Sequence, residues 1–499
     1  MSATSASGLA GGASRILLAA ALVATYACRP TGSGAALPSA DDQRAVLTAL
    51  RHPVELAGQP AARMDLRERM ATYAVPGVSV AVIRGNRIAW SAAIGRLRAD
   101  APDPMTRETL LQAASISKPL VAVATLRLVE RGELALEDSA NAHLKSWRIP
   151  ANAMTSRSPV RVEQLLSHTA GATNGAVGIY PPSAPVPTLL QALDGAPPSN
   201  RPPVRIDQVP GTTFRYSGGG YSILQQLLID VGGTTFPTLM RDLVLAPAGM
   251  RASCFCQPLP DSLAPRAASG HDSHGTPISG GWWTLPEAAA GGLWATADDL
   301  ARFMIAVNGA WRGEPDAFLS QRIARRMLAR GAGGWGLGFE VDTIGGELRY
   351  SHTGSNNGYR STMIAYPGRG DGIVVLTNGD GGADLRDEIV RSAALAYGWP
   401  GDRPVVRTES RGANPSLGQF SGRFQYTARF ASSFTVSGDT LVARLNDGSP
   451  NRLYSERPDI FFSIAGTTYR FVRDAGGQVT QVVATFGDGS QLTGARVTP

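Results

Sequence analysis

Lysine is nearly absent from this chain. Of its 499 residues 47 are Lys or Arg, yet only Lys118 and Lys145 are lysine. Cysteine is as scarce: Cys28, Cys254 and Cys256 are the whole complement. That is too few for a disulfide-framed fold, and the multi-cysteine spacing of a zinc site is missing. A bridge between residues two apart is strained, so free or buried thiols are expected at 254 and 256. Basic runs are missing too. The net charge of +7 is scattered and no nucleic-acid motif accompanies it, so it reads as solvated surface, with no nucleic-acid partner. No G-x-S-x-G elbow surrounds a serine, which argues against an α/β-hydrolase. Gly331 to Gly338 has no P-loop lysine, which argues against phosphate binding.

The one apolar run of note is N-terminal. Arg15 precedes Ile16 to Ala24, too short to span a bilayer but suited to a signal-peptide core. Thr25-Tyr26-Ala27 offers a cleavage site, so residues 1–27 are expected to be a signal peptide and the mature protein periplasmic or secreted. Cys28 follows directly and is a candidate lipid anchor, although the usual Leu is missing ahead of it. No other segment is long and apolar enough to cross a membrane.

With 43% hydrophobic residues, a chain of this length folds as two or more domains. Residues 28–64 read as an N-terminal extension, polar to about residue 40. Asp65 to Tyr73 is a predicted helix. Val78 to Ile83 and Ile88 to Ala93 are strands around the turn Arg84 to Arg87. Ser115 to Arg131 is a helix by its apolar spacing (Leu120, Val121, Ala124, Leu128, Val129), stopped by Gly132. Pro119 fits only a first turn, so Ser115 lies at or just before the helix start. Residues 171 to 214 form a long irregular excursion. Helices are predicted at Ser222 to Val231, Pro237 to Leu245 and Asp298 to Val307, the last capped by Thr296. Strands follow at Trp335 to Val341, Glu347 to Ser351, Tyr359 to Tyr366 and Gly372 to Thr377, then a helix from Asp384 to Tyr397. Strands at both ends with helices between them predict one antiparallel sheet, built from the two chain ends and flanked by helices: an α+β fold. This first domain spans 65–398 and a Pro/Gly/Ser linker spans 399–418. Residues 419–499 then carry five short alternating strands (Phe430 to Val436, Leu441 to Leu445, Ile460 to Ser463, Thr468 to Val472, Val479 to Phe486), the pattern of a small all-β barrel or sandwich.

The chemistry centres on Ser115-Ile116-Ser117-Lys118. Residues i and i+3 share one face of a helical turn, so the amine reaches the hydroxyl. A serine hydroxyl becomes a nucleophile only when a neighbouring base takes its proton. Arginine, always protonated, cannot serve, and one of only two lysines stands where a removable proton is needed. Tyr216-Ser217-Gly218 lies in the turn Phe214 to Tyr221, just before a helix, where a phenol beside a cation can relay a proton. His352-Thr353-Gly354 ends a strand and the chain turns through Ser355-Asn356-Asn357-Gly358. A strand edge offers open amides and Gly354 lets a substrate approach closely. The amides of Ser115 and Ser355 are the candidate oxyanion pair, each donor worth roughly 2.7–4 kcal/mol in a transition state.

These motifs, in this order and at these separations, resemble the serine β-lactamase and DD-peptidase superfamily, in the branch holding class C β-lactamases, penicillin-binding carboxypeptidases and β-lactamase-like esterases. Leu165-Leu166-Ser167-His168-Thr169 and Ala289-Ala290-Gly291-Gly292-Leu293-Trp294 add to the likeness, which covers about residues 65 to 398. The resemblance implies that Ser115 is acylated, that Lys118 activates it, that Tyr216 is the second proton-transfer group and that His352-Thr353-Gly354 docks the substrate. The C-terminal strands resemble the lipocalin-like modules some members append. Two departures stand out. The β-lactam-hydrolysing members usually have Asn where Gly218 stands and Lys where His352 stands, so a grip on the substrate's amide and an attraction for its carboxylate are both weakened.

The expectation is therefore a serine hydrolase acting through an acyl-enzyme, without metal or cofactor, on esters or small amide and D-amino-acid peptide bonds. β-Lactam hydrolysis or D-Ala-D-Ala carboxypeptidase activity is the alternative, and a catalytically silent protein that binds cell-wall peptide is the alternative of another class. His168 is expected to be a hydrogen-bonded structural residue. His271 and His274 lack a third ligand for a metal. Trp282, Trp283 and Trp294 are expected to pack rather than to line a pocket.

Overall fold

The computed structural model describes residues 40–174, 178–410, 416–446, 448–487 and 489–497. The expected signal peptide and Cys28 lie outside the described residues. From residue 40 the extension is ordered structure: the helix Ala40–Leu47 buries Val46 and Leu47, and strand β1 (Val54–Leu56) follows.

Strands β2 (Gly77–Arg84) and β3 (Arg87–Gly95) form the predicted hairpin. Gly85 and Asn86 both take positive φ, 53° and 61°, which fits the right-handed twist of the strands. β4 (Leu111–Ala114) and β5 (Leu293–Ala295) pair as a small antiparallel sheet. β6 (Glu340–Ile344), β7 (Glu347–Asn356), β8 (Tyr359–Tyr366) and β9 (Asp371–Thr377) complete a six-stranded sheet of order β3-β2-β9-β8-β7-β6. Every pairing in it is antiparallel, and β2 lies directly against β9. The sheet is thus built from both ends of the region, as the strand spacing predicts.

β2 is apolar almost throughout because both of its faces are covered. Val78, Val80 and Val82 point into one core with Leu385, Ile389 and Ala393 of the helix Gly382–Tyr397. Ala81 and Ile83 point into the other, with Leu300, Phe303 and Met304 of the helix Ala297–Arg312. A period of two sorts them. The helix Ser117–Glu130 is buried nearly all round, which suits its lack of a polar face.

Three readings are corrected. The strand predicted at Trp335 starts only at Glu340, because Gly338 takes φ 89° and a Cβ there would lie 2.5 Å from the Ala122 Cβ. The excursion 171–214 contains a capped helix, Leu189–Asp194. Cys254 and Cys256 are joined in a disulfide rather than free, their Cα atoms 5.3 Å apart, within the span a bridge accepts.

After β10 (Val405–Arg407), strands β11 (Gly422–Thr427), β12 (Phe430–Ser437), β13 (Thr440–Leu445), β14 (Asn451–Arg457), β15 (Ile460–Ser463), β16 (Thr468–Arg473), β17 (Val479–Thr485) and β18 (Gln491–Val497) close an antiparallel barrel. Its interior is filled by rings: Phe420, Phe424, Phe434 and Phe461 surround Phe471 at centroid distances of 4.7 to 5.9 Å. Eight strands leave about that much room. The span expected to be a linker is partly structured. β10 pairs in parallel with β1, Arg407 bonds Glu456 at 2.9 Å and its guanidinium lies 4.1 Å over Phe462.

Candidate active site

β4 ends at Ala114, which takes φ 51°. A non-glycine residue held in this left-handed region costs about 1 kcal/mol or more, and the turn it makes carries Ser115 and Ile116 ahead of the helix that begins at Ser117. The turn is braced from below. Ser117 Oγ donates to the Ala114 carbonyl at 2.7 Å and accepts from the Leu293 amide at 3.0 Å. Ser361 Oγ donates to the Ala113 carbonyl at 2.9 Å.

Lys118 is 1% exposed. Its Nζ lies 3.0 Å from Ser115 Oγ and 2.6 Å from the Ala290 carbonyl, and stands 5.0 Å from the centroid of the Tyr216 ring. The helical-turn spacing therefore does bring amine and hydroxyl together, and a backbone carbonyl from a distant segment aims the amine. That segment is the single turn Ala288–Gly291, whose small side chains let its carbonyl come close. The sequence carries no chemical signature for such an acceptor.

Tyr216 meets Lys118 with its ring face. The ring is clasped by His168 at 4.4 Å and by Trp335 at 5.5 Å, with His352 at 6.2 Å. Arg215 ties this turn to the carbonyls of Gly171 and Ala172. Ser217 is 2% exposed and caps the helix Gly218–Gly232, its Oγ accepting from the Gly220 amide at 2.9 Å and donating to the Thr173 carbonyl at 2.7 Å. Its hydroxyl is thus spent on the cap. Gly218 is buried too, and Asn174 brings its Oδ1 to the Gly218 amide at 3.5 Å.

On β7 the side chains alternate: His352 and Gly354 are buried, Thr353 and Ser355 exposed. A Cβ on Gly354 would meet the Ala113 carbonyl and Ser361 Oγ, each at 2.2 Å. The close approach this glycine permits is that of β4, not of a substrate. β6 pairs with β7 only as far as Ser351, so Thr353 and Ser355 lie beyond the end of that pairing. Ser355 precedes Asn356, whose Nδ2 donates to Gln112 Oε1 of β4 at 2.9 Å. That places the Ser355 end of β7 beside the Ser115 turn.

Two histidines belong to the site and neither carries charge at neutral pH. His352 Nδ1 donates to the Thr353 carbonyl at 2.6 Å. Burial and then the Lys118 charge pull its pKa down to about 3. His168 accepts from the Ser217 amide at Nδ1, 3.1 Å, which puts its proton on Nε2. Burial first, then Lys118 and His352, hold it well below the ordinary value. The structural reading of His168 stands, with a stacking role on Tyr216 that its sequence context does not announce. Trp335, against Tyr216, His168 and His352, likewise has no sequence signal that marks it as part of the site. His271 ties the Ala99 amide to the Asn378 carbonyl. Trp294 is core, and no group of three or more His, Cys, Asp or Glu placed to hold a metal exists among the described residues.

Residues 63–397 match the family model described as Beta-lactamase. The chain is 27% identical over 325 residues to penicillin-binding protein 4 of Amycolatopsis lactamdurans, covering 61% of this chain and 81% of that one. It is 29% identical over 329 residues to the esterase EstB of Burkholderia gladioli, covering 57% and 80%. Among solved structures, the octameric penicillin-binding protein homologue from Pyrococcus abyssi superposes with a TM-score of 0.56 at 20% identity, over 86% of this chain and 98% of that one. At that identity the likeness is one of fold.

Proposed function

Because the chain belongs to the beta-lactamase family, we propose that it is a serine hydrolase that forms a covalent acyl-enzyme on Ser115 and prefers esters or small amides. The observation that carries this is the buried Lys118 amine, 3.0 Å from Ser115 Oγ and aimed by the Ala290 carbonyl. In its uncharged form the amine takes the hydroxyl proton while Oγ bonds to the substrate carbonyl carbon. The carbonyl electrons move onto oxygen, where the amides of Ser115 and Ser355 receive them. As that intermediate collapses, the bond to the leaving group breaks and the proton passes to it through Lys118 and Tyr216. Water then adds to the acyl carbon by the same route and frees Ser115.

The preference for esters and small amides rests on two residues. His352 is neutral and buried, so it attracts a substrate carboxylate less than an ammonium would. Gly218 offers no side-chain amide. A relative that is an esterase fits this preference. Export through the N-terminal segment and a lipid anchor at Cys28 belong to the same proposal.

A fluorophosphonate probe tests it. Covalent labelling of the wild type, lost in Ser115→Ala, is the expected result; folded wild type without label overturns it. A panel of p-nitrophenyl butyrate, nitrocefin and a D-Ala-D-Ala peptide then ranks the substrates, with the ester expected fastest.

A further inference from the structure

A pair of side-chain amides, one buried and one half-buried, joins three elements of the site. Gln112 lies on β4, three residues before Ser115, and is 1% exposed. Its Nε2 donates to the Trp283 carbonyl at 2.6 Å and its Oε1 accepts from Asn356 Nδ2 at 2.9 Å. The same Nδ2 lies 3.4 Å from the Gly291 carbonyl. Gly291 follows Ala290, the residue whose carbonyl aims Lys118. Asn356 follows Ser355. One network of side-chain amides therefore ties the strand that delivers the nucleophile, the turn that orients the base and the strand end that offers the second oxyanion donor.

From this geometry we infer that Gln112 and Asn356 are positioning residues for the acyl-transfer reaction, setting the Ser355 amide at its distance from Ser115. The inference rests on the reading of Ser115 and Ser355 given above. Neither side chain needs to touch substrate. Gln112 is bonded at both ends of its amide and Asn356 Nδ2 reaches two acceptors, so a slip of either side chain leaves an unsatisfied polar group behind. Gly354 strengthens the case. The contact between β4 and β7 is made there at a distance that excludes a Cβ, so the two strands approach too closely for a side chain to act as spacer. The amide pair, one residue from Ala113 on β4 and two from Gly354 on β7, is what fixes how the two strands meet.

The test uses the full-length protein. Asn356→Asp keeps the shape but loses the Nδ2 donor, and Gln112→Met removes both polar ends. With p-nitrophenyl butyrate, each variant is expected to lower kcat about tenfold or more and to leave KM within twofold. Phenylboronic acid, whose tetrahedral anion draws on the oxyanion donors, should bind more weakly by a similar factor. The double variant should fall well short of the product of the two single losses, because the bond between the two side chains is lost in either one. A lowered melting temperature with kcat and boronate affinity unchanged reduces the pair to structural residues and overturns the inference, and so do losses that multiply in the double variant. Should either single variant fail to fold, Asn356→Ala, which removes the Nδ2 donor without placing a charge beside the Gly291 carbonyl, carries the same measurements. A wild type that takes no fluorophosphonate label overturns the reading of Ser115 and the network's purpose with it, a result distinct from failure of the variants alone.

Discussion

The catalytic body and the C-terminal barrel solve burial in opposite ways. Among the described residues, the body buries Lys118, His168, His271, His352, Glu287, Asp298, Asp299 and Glu388, whereas the polar residues buried in the barrel are Ser432, Ser455 and Ser463. The barrel core is a cluster of phenylalanines with Tyr469. Buried ionisable groups cost stability unless bonded or neutral, so the body carries a cost that the barrel avoids. Three of these groups, Lys118, His168 and His352, gather around Ser115, where chemistry needs an amine kept from water.

Four measurements break or sharpen that contrast. The largest effect is expected from Lys118→Arg, which keeps a charge but cannot accept a proton: acylation by a fluorophosphonate should slow by roughly 10³-fold, within the range for loss of a general base. Near-normal labelling removes Lys118 from the mechanism. Phe471→Ala should cost the barrel about 3–5 kcal/mol. All eight tryptophans precede residue 400, so indole fluorescence in a urea titration reports the body alone. Barrel tyrosine signal lost first is expected; coincident transitions would show the two regions melting as one.

Third is acid sensitivity. An unfolded chain protonates His352 near the ordinary value of about 6.5, while the native site refuses the proton down to about 3. The native state then binds fewer protons, so stability is full above that ordinary value and is lost as pH falls through the window below it. At pH 5 the cost is about 2 kcal/mol for this residue, and His168 adds to it in the same direction. His352→Gln should flatten the decline of melting temperature between pH 7 and pH 5, and an unchanged slope would place the acid response elsewhere. The smallest effect is expected at Gly218→Asn, with nitrocefin turnover rising about fivefold, the scale of one added hydrogen bond. No rise discards the idea that the missing amide limits β-lactam hydrolysis.

What could be read from residues alone follows the length of the interaction. Ser115 and Lys118 are three apart, so a helical turn suffices to join them. The hairpin of β2 and β3, and the helices capped by Asp65 and Thr296, are equally local. Gln112 and Asn356 are 244 positions apart, and nothing in either neighbourhood names the other. The Ala290 carbonyl is backbone and leaves no mark in composition. In the barrel, β11, β14 and β18 are not legible because Arg423, Arg452, Glu456 and Gln491 crowd their outward positions and Arg496, over the Phe424 ring, takes an inward one, leaving few apolar residues to show the alternation.

One pairing has a consequence for how the chain is made. β2 is hydrogen-bonded to β9, Val78 against Thr377. A ribosome therefore releases a nearly uninterrupted apolar segment long before its central neighbour exists, and closing so distant a contact is slow. Until Thr377 has emerged, that segment is an open template for other nascent chains, and a cell making this protein must keep it covered in the meantime.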